Sequence, residues 1–218
     1  MKLILGLSLA LGTLLAASPE KPAKLEKGFV ALFNGKDLTG WTKAKENEAT
    51  FDVKDGVIVA VGPRCHLYYT GPFQGKPPDF KNFELKVDVM TKPNSNGGIY
   101  FHTAYQETGW PSKGFEVQVN NTYNRDPRKT GSLYMVQDFK DQIVEDNVWY
   151  TEHIIVKGNT VTVFVNDKKV VEWTQPEGYT GPNKDNPGRV LSSGTFALQG
   201  HDPGSTIMYR NIRVKPLK

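Results

Sequence analysis

The stretch EHIIVKGNTVTVFVNDKKVVEW, residues 152–173, decides the fold. Apolar and polar residues alternate along it, the period of a strand with one face in a core. Two turn signals, Lys157-Gly158-Asn159 and Asn166-Asp167, cut it into segments joined by tight hairpins. Working outward, the same alternation recurs in FDVKDGVIVAVG (51–62), FELKVDVMT (83–91), GGIYFHTAY (97–105), GFEVQVNN (114–121), GTFALQG (194–200) and TIMYRNIRVKPL (206–217). Lys54-Asp55-Gly56 marks a further hairpin. No helical period runs beyond about two turns. The expected architecture is all-β: a single antiparallel β-sandwich of jelly-roll type, two sheets on one core.

Composition agrees. The chain has 218 residues, 38% hydrophobic and 23% charged, which excludes a disordered protein, and its 21 Gly and 14 Pro favour turns over long helices. The formal charge of +4 is spread along the chain. Lys168-Lys169 and Arg128-Lys129 are isolated pairs rather than a phosphate-tracking stripe, so no nucleic-acid partner is expected. Lys2, an apolar run from Leu3 to Leu15 and the small residues Ala16, Ala17 and Ser18 have the layout of a signal peptide over residues 1–18. A linker over 19–27 and one domain over 28–218 follow. Export to the periplasm or the outside is expected, with no membrane partner after leader cleavage. Cys65 is the single cysteine and reads as a small buried hydrophobe. Three stretches read as long loops, either functional or disordered: Pro63–Lys81, Asn121–Ser132 and Thr174–Arg189.

The faces of the strands separate structure from chemistry. Glu84, Lys86 and Asp88 form a sign-mixed charged face, as solvated faces do. In GFEVQVNN, Phe115, Val117 and Val119 share one face, whereas Glu116, Gln118 and Asn120 share the other. Tyr100 and His102 form a comparable face in GGIYFHTAY, and Gln199 and His201 in GTFALQGHD. Amides and an acid beside aromatic rings match a sugar, whose hydroxyls both donate and accept and whose C–H face meets a ring. On this pattern a sugar-binding face and an ordinary solvated polar face are equally open, and a carbohydrate is the partner expected of the first.

Ordinary glycosidases place two carboxylates about 5–10 Å apart. Here Glu116 stands in a Glu-x-Gln-x-Asn register, and neither amide can act as nucleophile or acid. A second carboxylate would have to come from a loop, with Asp126 or Asp202 as candidates. Glu116 with His201 can instead move single protons. For His201 a turn histidine bonded to the backbone is equally open. Arg210 reads as alternating with Ile212 and Val214, either as a structural ion pair or as a site residue. His153 reads as structural, and His66 stays open.

GFVALFNGKDLTGW (28–41), GGIYF (97–101), GFEVQV (114–119) and FALQGHDPGSTIMYRNIRVKPL (196–217) resemble, in order, blocks of the 3-keto-disaccharide hydrolase domain family. The resemblance covers nearly the whole chain after the leader. It implies a concanavalin-like jelly roll, export, and cleavage of glycosides already oxidised at C3. On the matching positions it implies Glu116 and Gln118 as the strand motif, Gln199 and His201 as a Gln-x-His element, and Arg210 on the closing strand. Glu116 and His201 would be catalytic, with Gln118, Asn120, Gln199, Tyr100, His102, Tyr134 and Arg210 holding substrate. A divalent metal polarising the ketone is compatible with this chemistry, but no clean ligand cluster is visible. His102 stands where the family more often has arginine, and the Tyr123–Thr130 loop is short. The rival reading is a carbohydrate-binding module of the same fold, with Tyr100, Trp110, Tyr123 and Tyr134 as stacking platforms.

Overall fold

A computed structural model describes residues 25–218; the expected leader and most of the expected linker lie outside them. The strands are β1 (Val30–Ala31), β2 (Trp41–Lys43), β3 (Phe51–Lys54), β4 (Val57–Val61), β5 (Cys65–Tyr69), β6 (Phe83–Thr91) and β7 (Gly97–Thr103). They continue as β8 (Phe115–Val119), β9 (Tyr150–Lys157), β10 (Thr160–Val165), β11 (Lys168–Thr174), β12 (Thr195–Gly200) and β13 (Thr206–Pro216). A single 3-10 turn, Glu48–Thr50, is the helical element among the described residues. All pairings are antiparallel. One sheet runs β11-β10-β9-β6-β13-β4-β3, with β1 also on β13; the other runs β2-β5-β12-β7-β8. The expected two-sheet sandwich is what forms.

The hairpins form where the turn residues placed them. Asp55 and Gly56 both take left-handed φ, +50° and +79°, as the β3–β4 turn requires. Gly158 (+61°) and Asn166 (+53°) turn β9 into β10 and β10 into β11. Between the sheets the alternating apolar residues close one core. Phe83 of β6 bridges it, its ring 5.8 Å from Phe101 and 5.0 Å from Phe196. Cys65 is buried within it, and burial pushes its thiol up to about 11, as suits an inert hydrophobe.

The outer faces of the two sheets differ. On β6, Glu84, Lys86 and Asp88 face out and pair with cations or anions, Glu84 with Lys215 at 2.8 Å and Asp88 with Arg213 at 3.2 Å. His153 joins this surface at 3.2 Å from Glu84, the structural place expected for it. In the second sheet β5, β7, β8 and β12 are buried at every residue, so both of its faces are covered. On the polar face Trp110, Asp126, Tyr134 and Arg189, from the segments that follow β7, β8 and β11, contribute to the cover. A strand covered on both sides yet polar on one of them marks the functional face.

Three expectations change here. Pro63–Lys81 is not one loop, because Cys65–Tyr69 within it is a sheet strand between β2 and β12. Its five residues are all buried, and their lack of polar alternation hid them. Arg210 does not follow the phase of Ile212 and Val214. The ladder slips between Arg210 and Arg213, with Asn211 at φ +49°, so Arg210 turns outward on the other sheet and lies 4.1 Å over the Trp149 ring. It is not a site residue. His102 leaves the site face for a similar reason. Its φ is +55°, beside a register slip between β7 and β12, and its ring packs on Phe83 and Phe101. There Nε2 donates to the Lys81 carbonyl at 2.9 Å and Nδ1 accepts from the Ser192 N–H at 3.2 Å. Burial drives its pKa to about 4, and the neutral ring braces the 175–194 segment.

Candidate active site

Register aligns the chemistry into rows. Glu116 lies opposite Tyr100, Tyr100 opposite Ala197, and Ala197 opposite Tyr68. Gln118 lies opposite Gly98, and Gln199 opposite His66. Opposite residues of an antiparallel ladder point to the same face, so these polar side chains gather beneath one cavity of about 240 Å³. It has room for one sugar ring.

Glu116 is the centre of the cavity. Its Oε2 accepts from the Tyr100 hydroxyl at 2.7 Å and its Oε1 from the Gln199 amide at 3.0 Å. The side chain lies across Gly98, where an added Cβ would stand 2.6 Å from Oε1. That close approach is the reason for glycine at position 98. Gly98→Ala is expected to displace the carboxylate and lower turnover at least tenfold without changing the melting temperature by more than a few degrees. Steady-state rates and a thermal melt check this.

Burial raises the Glu116 pKa above the ordinary carboxylate range, while Arg189, Tyr100 and Gln199 pull it back. Burial, with Glu116 alongside, holds the Tyr100 phenol protonated, so it is a fixed donor. Gln118 is anchored by donating to Asn96 Oδ1 at 2.7 Å, and the Asn96 N–H donates to Ser205 Oγ at 2.9 Å. The same hydroxyl donates to Asp202 at 2.9 Å, and Asp202 meets His201 Nδ1 at 2.8 Å. Burial works to raise Asp202, but bonds from His201, Ser205 and Gly204 prevail and hold it below its usual value. A carboxylate on Nδ1 fixes the ring and leaves Nε2 for the cavity. His201 is thus a turn residue with a carboxylate partner, and it lines the cavity.

Not every expected ligand is one. Asn120 is fully buried, and its amide donates to the Asp126 and Arg128 carbonyls at 3.1 and 2.7 Å. It shapes the loop rather than touching the cavity, because β8 ends at Val119 and the chain turns away. Tyr134 lines the cavity, but the guanidinium groups of Arg128 and Arg189 lie over its ring at 4.7 and 5.2 Å. Tyr123 is buried, with its ring 5.9 Å from that of His201. Trp110 is the exposed aromatic at the rim, 44% accessible, with Arg64 over its ring at 5.0 Å. Asp126 does reach the cavity; its Oδ1 accepts from the Arg128 N–H at 2.8 Å.

Arg189 was missed by the strand-face reading. It ends one of the expected long loops, and only that loop's length signalled it. Its guanidinium lies 3.9 Å from Glu116 Oε2. Beneath the rim His66 is fully buried, with neither nitrogen bonded within the described residues, and burial lowers its pKa to about 3. It is a neutral packing ring under Trp110, 5.6 Å away.

Among the described residues no three His, Cys, Asp or Glu side chains converge on a metal position. His201 Nε2, with Asp202 behind Nδ1, and Glu116, whose two oxygens already carry donors, supply fewer ligands than the three a protein-held site needs. This donor set does not fit a resident divalent cation.

A 3-keto-disaccharide hydrolase of Bacteroides thetaiotaomicron is 26% identical over 234 residues, covering 87% of this chain and 79% of that protein. A Parabacteroides distasonis structure described as a candidate glycosyl hydrolase superposes with a TM-score of 0.70 at 24% identity, covering 88% of this chain and 94% of that one. A non-specific endo-β-1,3(4)-glucanase of family GH16 shares the jelly-roll fold at a TM-score of 0.56 and 10% identity, covering 89% and 93%. The model of the 3-keto-alpha-glucoside-1,2-lyase-like domain matches residues 28–215. By that match, over nearly all of the described residues, the chain belongs to the 3-keto-alpha-glucoside-1,2-lyase-like domain family.

Proposed function

We propose that the protein is an exported carbohydrate-active enzyme that cleaves 3-keto-glycosides by elimination across C1–C2 followed by hydration. The observation that carries this reading is Glu116: a single strand-borne carboxylate, buried under a sugar-sized cavity, its pKa raised by that burial as suits a proton acceptor. The relatives named above support the carbohydrate assignment. Export rests on the apolar run behind Lys2.

A ketone at C3 acidifies the C2 proton. Glu116 removes it, and the C–H electron pair becomes a C2=C3 bond as the carbonyl pair moves onto oxygen. The pair then returns, C1=C2 forms, and the C1–O bond to the aglycone breaks. His201 Nε2 hands its proton to the leaving oxygen, with Asp202 as counter-charge across Nδ1. Water adds to C1 and the proton returns to C2, so the net change is hydrolysis without oxidation or reduction. Tyr100 and Gln199 hold Glu116 still, and the Gln118 and Gln199 carbonyl oxygens, buried and unbonded within the described residues, await sugar hydroxyls.

One observation favours a second reading. Asp126 borders the same cavity as Glu116, so a second carboxylate is present at the site for two-carboxylate chemistry. Purified protein, with and without EDTA, is therefore mixed with a 3-keto-disaccharide and with its unoxidised parent, and sugar release is followed. Release from the keto sugar alone, unchanged by EDTA, is expected. Release from the parent transfers the chemistry to Glu116 with Asp126. Binding without release from either makes the protein a binding module.

A further inference from the structure

Resting on that reading, the geometry points to Arg189 as the residue that receives the negative charge at the sugar's C3 oxygen, through a hydrogen bond from Nη1 to the enolate. Arg189 is 8% exposed, and among the residues lining the cavity its Nη1 is the buried nitrogen donor without an acceptor in the described residues. Of the other donors there, His201 Nε2 serves the leaving oxygen in the proposed reaction, and those packed around Glu116 and Gln118 are committed. The Tyr100 hydroxyl and the Gln199 amide serve Glu116, the Gln118 amide serves Asn96, and His201 Nδ1 meets Asp202. A buried cation with an unused donor is costly unless something occupies the position.

The position suits the chemistry. The carbon that loses its proton and the oxygen that gains its charge are two bonds apart. The base and this guanidinium are correspondingly close, with Nη2 3.9 Å from Glu116 Oε2. That gap is too long for a hydrogen bond, so Arg189 is not spent on the base. Its rigid fork is positioned at one end and on one face: Nε donates to Asn186 Oδ1 at 3.4 Å, and the plane lies over Tyr134. The carrying segment is pinned in turn, since the Gly114 N–H donates to the Gly188 carbonyl at 3.0 Å. A fixed donor where charge develops is the arrangement that lowers a transition state rather than merely binding substrate.

The test compares Arg189→Lys and Arg189→Ala with the wild type on a 3-keto-disaccharide. It reads kcat, KM, the pH profile and, separately, exchange of the C2 proton into D2O by NMR. Exchange reports enolate formation whether or not the aglycone leaves. Both variants are expected to lose about 10²–10³ in kcat and in exchange across the whole pH range, as removal of one oxyanion donor does. Added guanidinium is expected to restore part of the rate of Arg189→Ala. The lysine variant keeps the charge beside Glu116 and keeps the segment folded, which a thermal melt verifies. If lysine restores the rate, or the alanine variant only moves the acid limb of the profile to higher pH, Arg189 merely tunes Glu116 and the proposal is wrong. If the wild type releases nothing from the keto sugar, the functional reading itself has failed and this proposal falls with it.

Discussion

Glu116→Gln is expected to lower turnover of a 3-keto-glycoside by about 10²–10⁴, the contribution of a positioned general base. The amide keeps the shape, and Tyr100 can still donate to its oxygen, so sugar binding should weaken less than tenfold. Titration by calorimetry and the steady-state rate, taken together, separate base from ligand. A rate that survives the substitution would remove Glu116 from the chemistry. On the proposed mechanism the active form is the ionised carboxylate, and burial raises its pKa. The acid limb of kcat/KM should therefore lie above the ordinary glutamate value near 4.3, with activity rising as pH rises through it.

Glu152→Gln is expected to stabilise the protein, increasingly so as pH rises. Glu152 is fully buried on the core face of β9, between Val87 and Val165 in the ladders, and neither oxygen is bonded within the described residues. Burial moves its pKa well above the usual value. The folded state then keeps a proton that the unfolded chain releases near pH 4.3. Stability is intact below that point and falls by about 1.4 kcal/mol per pH unit up to the folded pKa. Gln carries no such penalty. Urea unfolding at three pH values should give curves that nearly coincide at low pH and separate towards neutrality. Parallel profiles would mean that Glu152 is solvated or paired.

Parity alone made much of this legible. The alternation through Ile154 and Val156 puts Glu152 on the inward face, just as Phe115 and Val117 put Glu116 and Gln118 on the opposite one. Hairpins at Asp55-Gly56 and Gly158 were readable because left-handed turns need those residues. Parity failed wherever the backbone slipped. At His102 and Asn211, both with φ near +50°, the alternation slips, so His102 leaves the site face and Arg210 falls out of phase with Ile212 and Val214 on the other sheet. Asn and His tolerate left-handed backbone better than most residues, but within an alternating strand they mostly stay extended, so residue type alone did not mark the slip.

The sequence by itself determined the sandwich, its hairpins and the polar row of Glu116, Gln118, Tyr100 and Gln199, because a two-residue period and turn chemistry are local properties. Tertiary structure alone decided that this row is roofed rather than solvated. Arg189, Asp126 and Trp110 come from three separate segments, at sequence distances where no period operates. Whether a polar strand face meets water or a cavity depends on what packs over it. Loop packing sums many weak contacts between residues far apart in the chain, and only the folded chain brings those residues together.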